Sequence, residues 1–280
     1  MHVRPAAVAG SWYPGSRGAL TREVDAYLAA VPDVQPFAVQ GLIAPHAGIM
    51  FSGPVAAYAY KAAAAAGPYD VVALTGPSHF SAFEGVAVFP GRAFETPLGL
   101  SEVDEEGVTA VASSPIVNKL AAPHVREHSL EMQLPFLAHL APRLPIVPLV
   151  MGYQTAATAS ALGDALAAAI AGRNALLVAS TDLSHYRDAA TAAALDQVVI
   201  DCVARFDADG LQAALDRNPE HACGGGPLVA VMRASRSSGA RDAIVLDYAD
   251  SGDVSGDKSA VVGYLAAAFG TFDREGRGDQ

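Results

Sequence analysis

Cysteine is scarce in this chain. Two thiols in 280 residues, Cys202 and Cys223, cannot build a multi-disulfide framework, so a small secreted disulfide scaffold is excluded. Both are expected to stay reduced. Cys202 sits in the apolar run Val198-Val199-Ile200-Asp201-Cys202-Val203 and reads as a core residue. Charge is scarce too, at 17 % of residues, and its balance is acidic, with a net charge of -11. That argues against nucleic acid and anionic membrane surfaces as partners, since both reward clustered Lys and Arg. No uninterrupted apolar run reaches membrane-spanning length, because Ala-rich stretches such as 156–171 are broken by Gly163 and Asp164. The opening Met-His-Val-Arg-Pro has no apolar signal region, so a cytoplasmic protein is expected. Several catalytic signatures are missing: no G-x-S-x-G, no H-E-x-x-H, no G-x-G-x-x-G after a strand, no paired C-x-x-C, and no Lys after the Gly-rich run in phosphate-loop order.

What the chain does have is apolar residues, 51 % of the total, enough for a sizeable core without staples. Strand-like and helix-like segments alternate. Strands are expected at 40–44, 70–75, 85–89 (antiparallel), 146–151, 175–180, 243–249 and 260–269. Helices are expected at 20–30, 54–66, 102–113, 127–140 (bent or broken at Pro135), 156–171, 189–206, 209–217 and 227–237. This alternation, with nearly continuous β-branched apolar strands, implies an α/β fold whose mainly parallel sheet is covered on both faces. Residues 1–280 read as one domain, with a charged, Gly-rich tail over 273–280 expected to fray.

Three short stretches carry the chemistry. Ala44-Pro45-His46-Ala47-Gly48 and Gly76-Pro77-Ser78-His79-Phe80 each follow an apolar strand, and Cys223 precedes Gly224-Gly225-Gly226-Pro227 at a helix start. A His just past a strand end sits where open α/β sheets bind ligands. Two such His and one Cys make a three-ligand metal site with open positions. The helix start is expected to lower the Cys223 pKa, and its glycines resemble an anion cradle. In Ser180-Thr181-Asp182-Leu183-Ser184-His185-Tyr186, His185 fits a general base, with Asp182 orienting it or supporting the ligands from behind; helix capping is the plain alternative. In Arg126-Glu127-His128-Ser129-Leu130-Glu131, Glu127 and Glu131 are expected to share a helix face, and His128 is the residue chosen as a pocket acid/base or polar contact. His2, His124, His139 and His221 are assigned to surface or capping positions. A metal-free Cys223–His185 nucleophile pair stays open.

These motifs, in order, resemble the Memo family, known in prokaryotes as protein B of the AmmeMemoRadiSam system. The similarity runs nearly end to end, from Arg4-Pro5-Ala6-Ala7-Val8-Ala9-Gly10-Ser11-Trp12-Tyr13-Pro14 through the stretches above to Tyr248-Ala249-Asp250-Ser251-Gly252-Asp253 and Val261-Val262-Gly263-Tyr264. The resemblance implies a three-layer α/β/α fold with a central, mainly parallel or mixed sheet like that of class III extradiol dioxygenases. It implies metal ligands His46, His79 and Cys223, with His185 as acid/base. It also implies Fe(II) ahead of copper or zinc, an unidentified small substrate, aromatic ones included, in the dioxygenase manner, and AMMECR1-like and radical SAM proteins as system partners. Cys223 falls where those dioxygenases carry a carboxylate, which softens the site and puts simple catechol cleavage in question. Ile49-Met50-Phe51 departs from the aromatic residue often found there. A non-catalytic peptide- or protein-binding module in the same cleft is the alternative function.

Overall fold

The strand Val71–Pro77 is buried along its whole length, as a strand covered on both faces must be. In the computed structural model, which describes residues 2–33 and 38–272, it lies inside a nine-stranded sheet. The strands are β1 (Val3–Arg4), β2 (Ala38–Ala44), β3 (Val71–Pro77), β4 (Val86–Val88), β5 (Ala93–Thr96), β6 (Gly99–Glu102), β7 (Val117–Lys119), β8 (Ile146–Met151), β9 (Ala175–Ser180), β10 (His185–Arg187), β11 (Asp242–Asp250) and β12 (Val261–Thr271). The main sheet runs β10-β12-β2-β9-β3-β8-β4-β7, with β11 also on β12, and β1-β5-β6 form a separate sheet. Strands β2, β9, β3 and β8 are parallel. Strand β12 joins β2 antiparallel, and β4 joins β8 antiparallel as its sequence suggested. The result is a mixed sheet with a parallel centre.

Helices α1 (Arg17–Ala30), α2 (Ile49–Ala66), α3 (Glu105–Val111), α4 (Leu134–Leu140), α5 (Ala156–Ala169), α6 (Ala189–Ala204), α7 (Ala208–Arg217), α8 (Gly225–Ser237) and α9 (Gly252–Ser255) flank it. Helices α1, α2 and α4 pack on one another, and α8 packs on α5, α7 and the central strands. Leu42, Ile43, Leu74, Leu149, Leu177, Val178, Leu228 and Phe269 are fully enclosed between these layers. No helix among the described residues is long and apolar enough to cross a membrane. Cys202 is buried on α6, and both cysteines are free thiols.

Strand β9 lies between β2 and β3, so their C-terminal ends meet. Ala44 pairs with Ser180, and Thr75 with Ala179. The loops leaving these three neighbouring ends therefore share one crevice, where an open parallel sheet places ligands.

Several boundaries differ from the sequence reading. Helix α2 begins at Ile49, with Pro54 inside it; Met50, whose carbonyl loses its partner there, is 54 % exposed and open to water. Residues 99–102 are strand, and α3 starts only after Asp104, whose side chain accepts from the Gly107 amide. The helix expected over 127–140 is replaced by a non-helical turn, a 3-10 turn Glu131–Gln133 and then α4, which Pro135 opens rather than bends. Glu127 and Glu131 thus share no helix face. Strands β1, β5, β6, β7 and β10 are too short and polar to signal themselves in sequence. The tail 273–280 lies outside the described residues.

A buried ion pair holds the irregular segment in place. Arg4 and Glu131 are about 1 % and 0 % exposed. Glu131 also accepts from the Ala7 amide (2.8 Å), the Val8 amide (3.0 Å) and the Tyr13 hydroxyl (2.7 Å). Arg4 donates in addition to the carbonyls of His124 and Glu127. Residues 4–13 are thereby clamped to residues 124–131. Glu131→Leu leaves a buried guanidinium unpaired and two amides without an acceptor, so it should destabilise by about 3–5 kcal/mol. Urea unfolding measures this, and a loss below about 1 kcal/mol would contradict the clamp.

Candidate metal centre

Each of the three neighbouring strands β2, β9 and β3 delivers one functional residue two positions past its end: His46 after β2, His79 after β3 and Asp182 after β9. Cys223 arrives from the other side, in the turn before α8. Its amide donates to the Asp182 carbonyl (3.2 Å), and the Asp182 amide donates to its Sγ (3.3 Å). Gly224 makes this approach feasible. A Cβ there would lie 2.7 Å from the Ser180 carbonyl oxygen and 2.8 Å from Thr181 Cβ, distances no side chain tolerates. The Gly224 amide donates to Thr181 Oγ1 (2.9 Å) and the Gly226 amide to Gln154 Oε1 (2.8 Å). The glycines therefore serve close packing rather than the anion cradle expected.

His46, His79 and Cys223 each offer a ligand atom within 4.8 Å of the others. Cys223 Sγ lies 3.4 Å from His46 Nε2. Hydrogen bonding fixes which ring nitrogen each His presents. Ser180 Oγ donates to the Ser129 carbonyl (2.6 Å) and accepts from Gln133 Nε2 (2.8 Å). Its one hydrogen is spent, so His46 Nδ1, 3.0 Å away, must be the donor. His79 Nδ1 faces Glu127 Oε1 at 2.8 Å, and a carboxylate only accepts. In the neutral form of either ring the proton sits on Nδ1 and the lone pair on Nε2, the arrangement that metal-binding imidazoles take from their outer partners. Burial first, then the neighbouring His79, lowers the His46 pKa to about 3, so this ring is neutral.

Glu127 is 1 % exposed. Its Oε2 accepts from the His79 amide (2.6 Å), and its Oε1 accepts from the amides of His128 (2.9 Å) and Ser129 (2.9 Å) as well as from the His79 ring. Burial opposes its charge, but the His79 contacts and these amides outweigh it and lower its pKa to about 2. Asp182 Oδ1 accepts from the amides of His46 (2.7 Å) and Ala47 (3.3 Å), so it braces the first His loop. Burial raises its pKa. Burial and the Asp182 carboxylate push the Cys223 thiol up as well. This is the reverse of the lowering expected from the helix start, because α8 begins two residues later and Sγ is enclosed. A cation beside the sulfur would favour the thiolate.

His185 stands at the start of β10, paired with Val262 of β12. Its Nδ1 faces the Leu183 carbonyl at 2.8 Å, which leaves Nε2 without the proton when the ring is neutral. That carbonyl, not Asp182, orients it. His128 stacks on His79 with ring centroids 4.4 Å apart, lies 5.6 Å from His46, and packs under Trp12 at 4.3 Å. A cavity of about 340 Å³, lined by Ser78, His79, Phe80, Gly152 and Tyr153 among others, opens beside His79. A second cavity between α1, β6 and α4 contains none of these residues. Of the four His set aside, His124 and His221 are buried rather than superficial; His221 Nδ1 pairs with the Leu195 carbonyl (2.8 Å), away from Cys223.

The structure thus gathers His46, His79, Cys223, Asp182, His185 and His128 at one end of the sheet. Sequence reasoning passed over Glu127, Ser180 and Gln133. Glu127 stood in a motif already noted, but a helical reading turned its carboxylate toward solvent.

The Memo-like protein model matches residues 4–268. The chain belongs to the Memo-like protein family. A MEMO1 family protein of Methanothermobacter thermautotrophicus is 38 % identical over 274 residues, covering 94 % of this chain and 98 % of the relative. One from Methanosarcina mazei is 39 % identical, over 95 % of this chain and 98 % of its own. One from Aquifex aeolicus is 34 % identical, over 96 % and 100 %. The crystal structure of an uncharacterized protein from Escherichia coli K12 has a TM-score of 0.56 at 16 % identity, covering 83 % of this Memo-like chain and all of that one; it bears on the fold alone.

Two predictions follow from the geometry. Glu127 is ionised in the folded state down to about pH 2. Because its folded pKa lies below its unfolded one, its stabilisation is fully present above about pH 4.5 and is lost as pH falls toward 2. In metal-free protein, Glu127→Gln should therefore lower stability at pH 7 by on the order of 3 kcal/mol, with the difference from wild type shrinking between pH 4.5 and 2. A pH-independent difference in urea unfolding would contradict this. Gly224→Ala should displace Cys223 from Asp182 and weaken metal uptake, read as slower protection of the thiol from alkylation by added Zn(II); unchanged protection would contradict the packing role.

Proposed function

We propose that the chain is a metal-dependent redox protein in which His46, His79 and Cys223 hold Fe(II), with copper or zinc as the other metals the donor set accepts. The observation that carries this reading is the pair of imidazoles, each with its Nδ1 engaged by an outer partner, within ligand reach of one half-buried sulfur. Two neutral nitrogens and a thiolate suit a borderline or soft cation, and three protein ligands leave positions for O₂ or a small substrate. When bound, the metal supplies redox chemistry and Lewis acidity at those positions.

The protein's own residues do the rest. Asp182 holds the His46–Ala47 backbone so that the ring stays in register. Glu127 fixes the His79 ring. His185 Nε2 takes a proton from a substrate hydroxyl, its ring held by the Leu183 carbonyl. His128 and Trp12 form a wall that excludes water and suits a flat, aromatic substrate. The three-layer, extradiol-dioxygenase-like arrangement belongs to this same reading.

A second reading, a peptide- or protein-binding module without turnover, is favoured by the exposed aromatics near the site: Trp12 (38 %), Phe80 (49 %) and Tyr186 (77 %). The two are separated by anaerobic loading with Fe(II), followed by O₂ uptake across a panel of small aromatic diols. The redox reading expects metal-dependent uptake with at least one of them. His185→Ala should keep the metal and lose about 10²–10⁴-fold in rate, whereas Cys223→Ala should lose both the sulfur ligand and the uptake. Stoichiometric iron with no metal-dependent uptake across the panel would favour the binding module.

A further inference from the structure

Besides the His46–His79–Cys223 set, a second group of ligand-bearing side chains lies within mutual reach. His79, Glu127 and His128 also offer atoms all within 4.8 Å of one another. We infer that these three form a second metal position, which takes a borderline divalent cation such as Zn(II), Fe(II) or Co(II) and excludes occupancy of the first. The proposal rests on the first position being a metal site, as proposed above.

The His128 ring is the member of this group that no protein hydrogen bond claims among the described residues. His128 is deeply enclosed, its side chain 9 % exposed, yet no hydrogen bond to either ring nitrogen is found among the described residues. Its Nδ1 lies 3.7 Å from Glu127 Oε1, too far for a hydrogen bond. The ring is held by Trp12, His79 and Phe80 at centroid distances of 4.3, 4.4 and 5.8 Å. Neither ring nitrogen is among the buried polar atoms left without a partner among the described residues, so water reaches the ring, and a cation entering there displaces solvent rather than a protein hydrogen bond. Glu127 is ionised beside it, so two imidazoles and one carboxylate face a common point, a donor set familiar for borderline divalent cations.

The exclusion follows from the chemistry of one ring. A neutral imidazole carries one proton and one lone pair. With its proton on Nδ1 and donated to Glu127, His79 presents Nε2 to the first position. To serve the second position, Nδ1 must carry the lone pair, and the proton moves to Nε2 by exchange with solvent, with no net change in proton count. His79 can then no longer ligate beside Cys223. His79 is also the more open of the two imidazoles in the first set, with its side chain 27 % exposed against 1 % for His46. A cation at the second position reaches the first by a tautomer change of His79 alone.

The experiment is anaerobic Co(II) titration of the full chain as wild type, Cys223→Ala, His128→Gln and the double variant. The near-ultraviolet thiolate-to-cobalt band reports the first position, and visible ligand-field bands report either. Wild type should bind one equivalent with the thiolate band, and His128→Gln should keep that band. Cys223→Ala should bind one equivalent without it. In the double variant that residual binding should weaken by more than the roughly 10–100-fold that loss of an outer partner costs. Glutamine keeps the bulk under Trp12, and circular dichroism checks the fold of each variant. Equal cobalt affinity in Cys223→Ala and the double variant would overturn the second position, and two equivalents in wild type would overturn the exclusion. Absence of the thiolate band in wild type would overturn the first position, and the exclusion with it.

Discussion

The position of one proton on each imidazole organises this site. His46 gives its Nδ1 proton to Ser180, His79 to Glu127 and His185 to the Leu183 carbonyl. Each acceptor has no hydrogen of its own left to offer, so each ring in its neutral form keeps its lone pair on Nε2. Most of the surrounding structure serves those three acceptors. Ser180 can only accept from His46 because its hydroxyl is committed to Ser129, and Gln133, itself held by Tyr60, donates to Ser180 from the other side. Glu127 is ionised although enclosed because the amides of His79, His128 and Ser129 converge on it.

The parallel centre of the sheet supplies the frame. Placing β9 between β2 and β3 brings the C-terminal ends of all three strands to one edge of the sheet, so residues far apart in sequence need only two further positions each to meet. The loop carrying Glu127, His128 and Ser129 has no strand or helix of its own. It is kept in place by Arg4 and Glu131 and roofed by Trp12 from the N-terminal segment. The lack of a cap or helix around 127–130 is thus offset by contacts that span more than a hundred residues.

The contrast between what the sequence reveals and what it hides has the same origin. Ile146–Met151 and Ala175–Ser180 match their expected limits, because a strand buried on both faces must be apolar throughout and shows as an unbroken run. The Pro-linked His at 46 and 79 marked strand ends that do converge, and Cys223 does join them. The segment 127–133 was misread because its conformation is set by Arg4 and the His79 amide rather than by its own periodicity. Cys223 was expected to be acidified by its helix, yet local sequence carries no sign of the Asp182 carboxylate that folding places beside it. The ligand-bearing types were legible; the acceptors behind them depend on long-range packing and were not.

The central claim is that one sulfur and imidazole nitrogens from separate strand ends bind a common metal. X-ray absorption at the iron edge of the anaerobically Fe(II)-loaded protein tests it most directly. The account predicts one sulfur scatterer at about 2.3 Å together with nitrogen or oxygen at about 2.0–2.2 Å, and loss of the sulfur shell in Cys223→Ala. A coordination sphere of nitrogen and oxygen alone in the wild-type protein would contradict it.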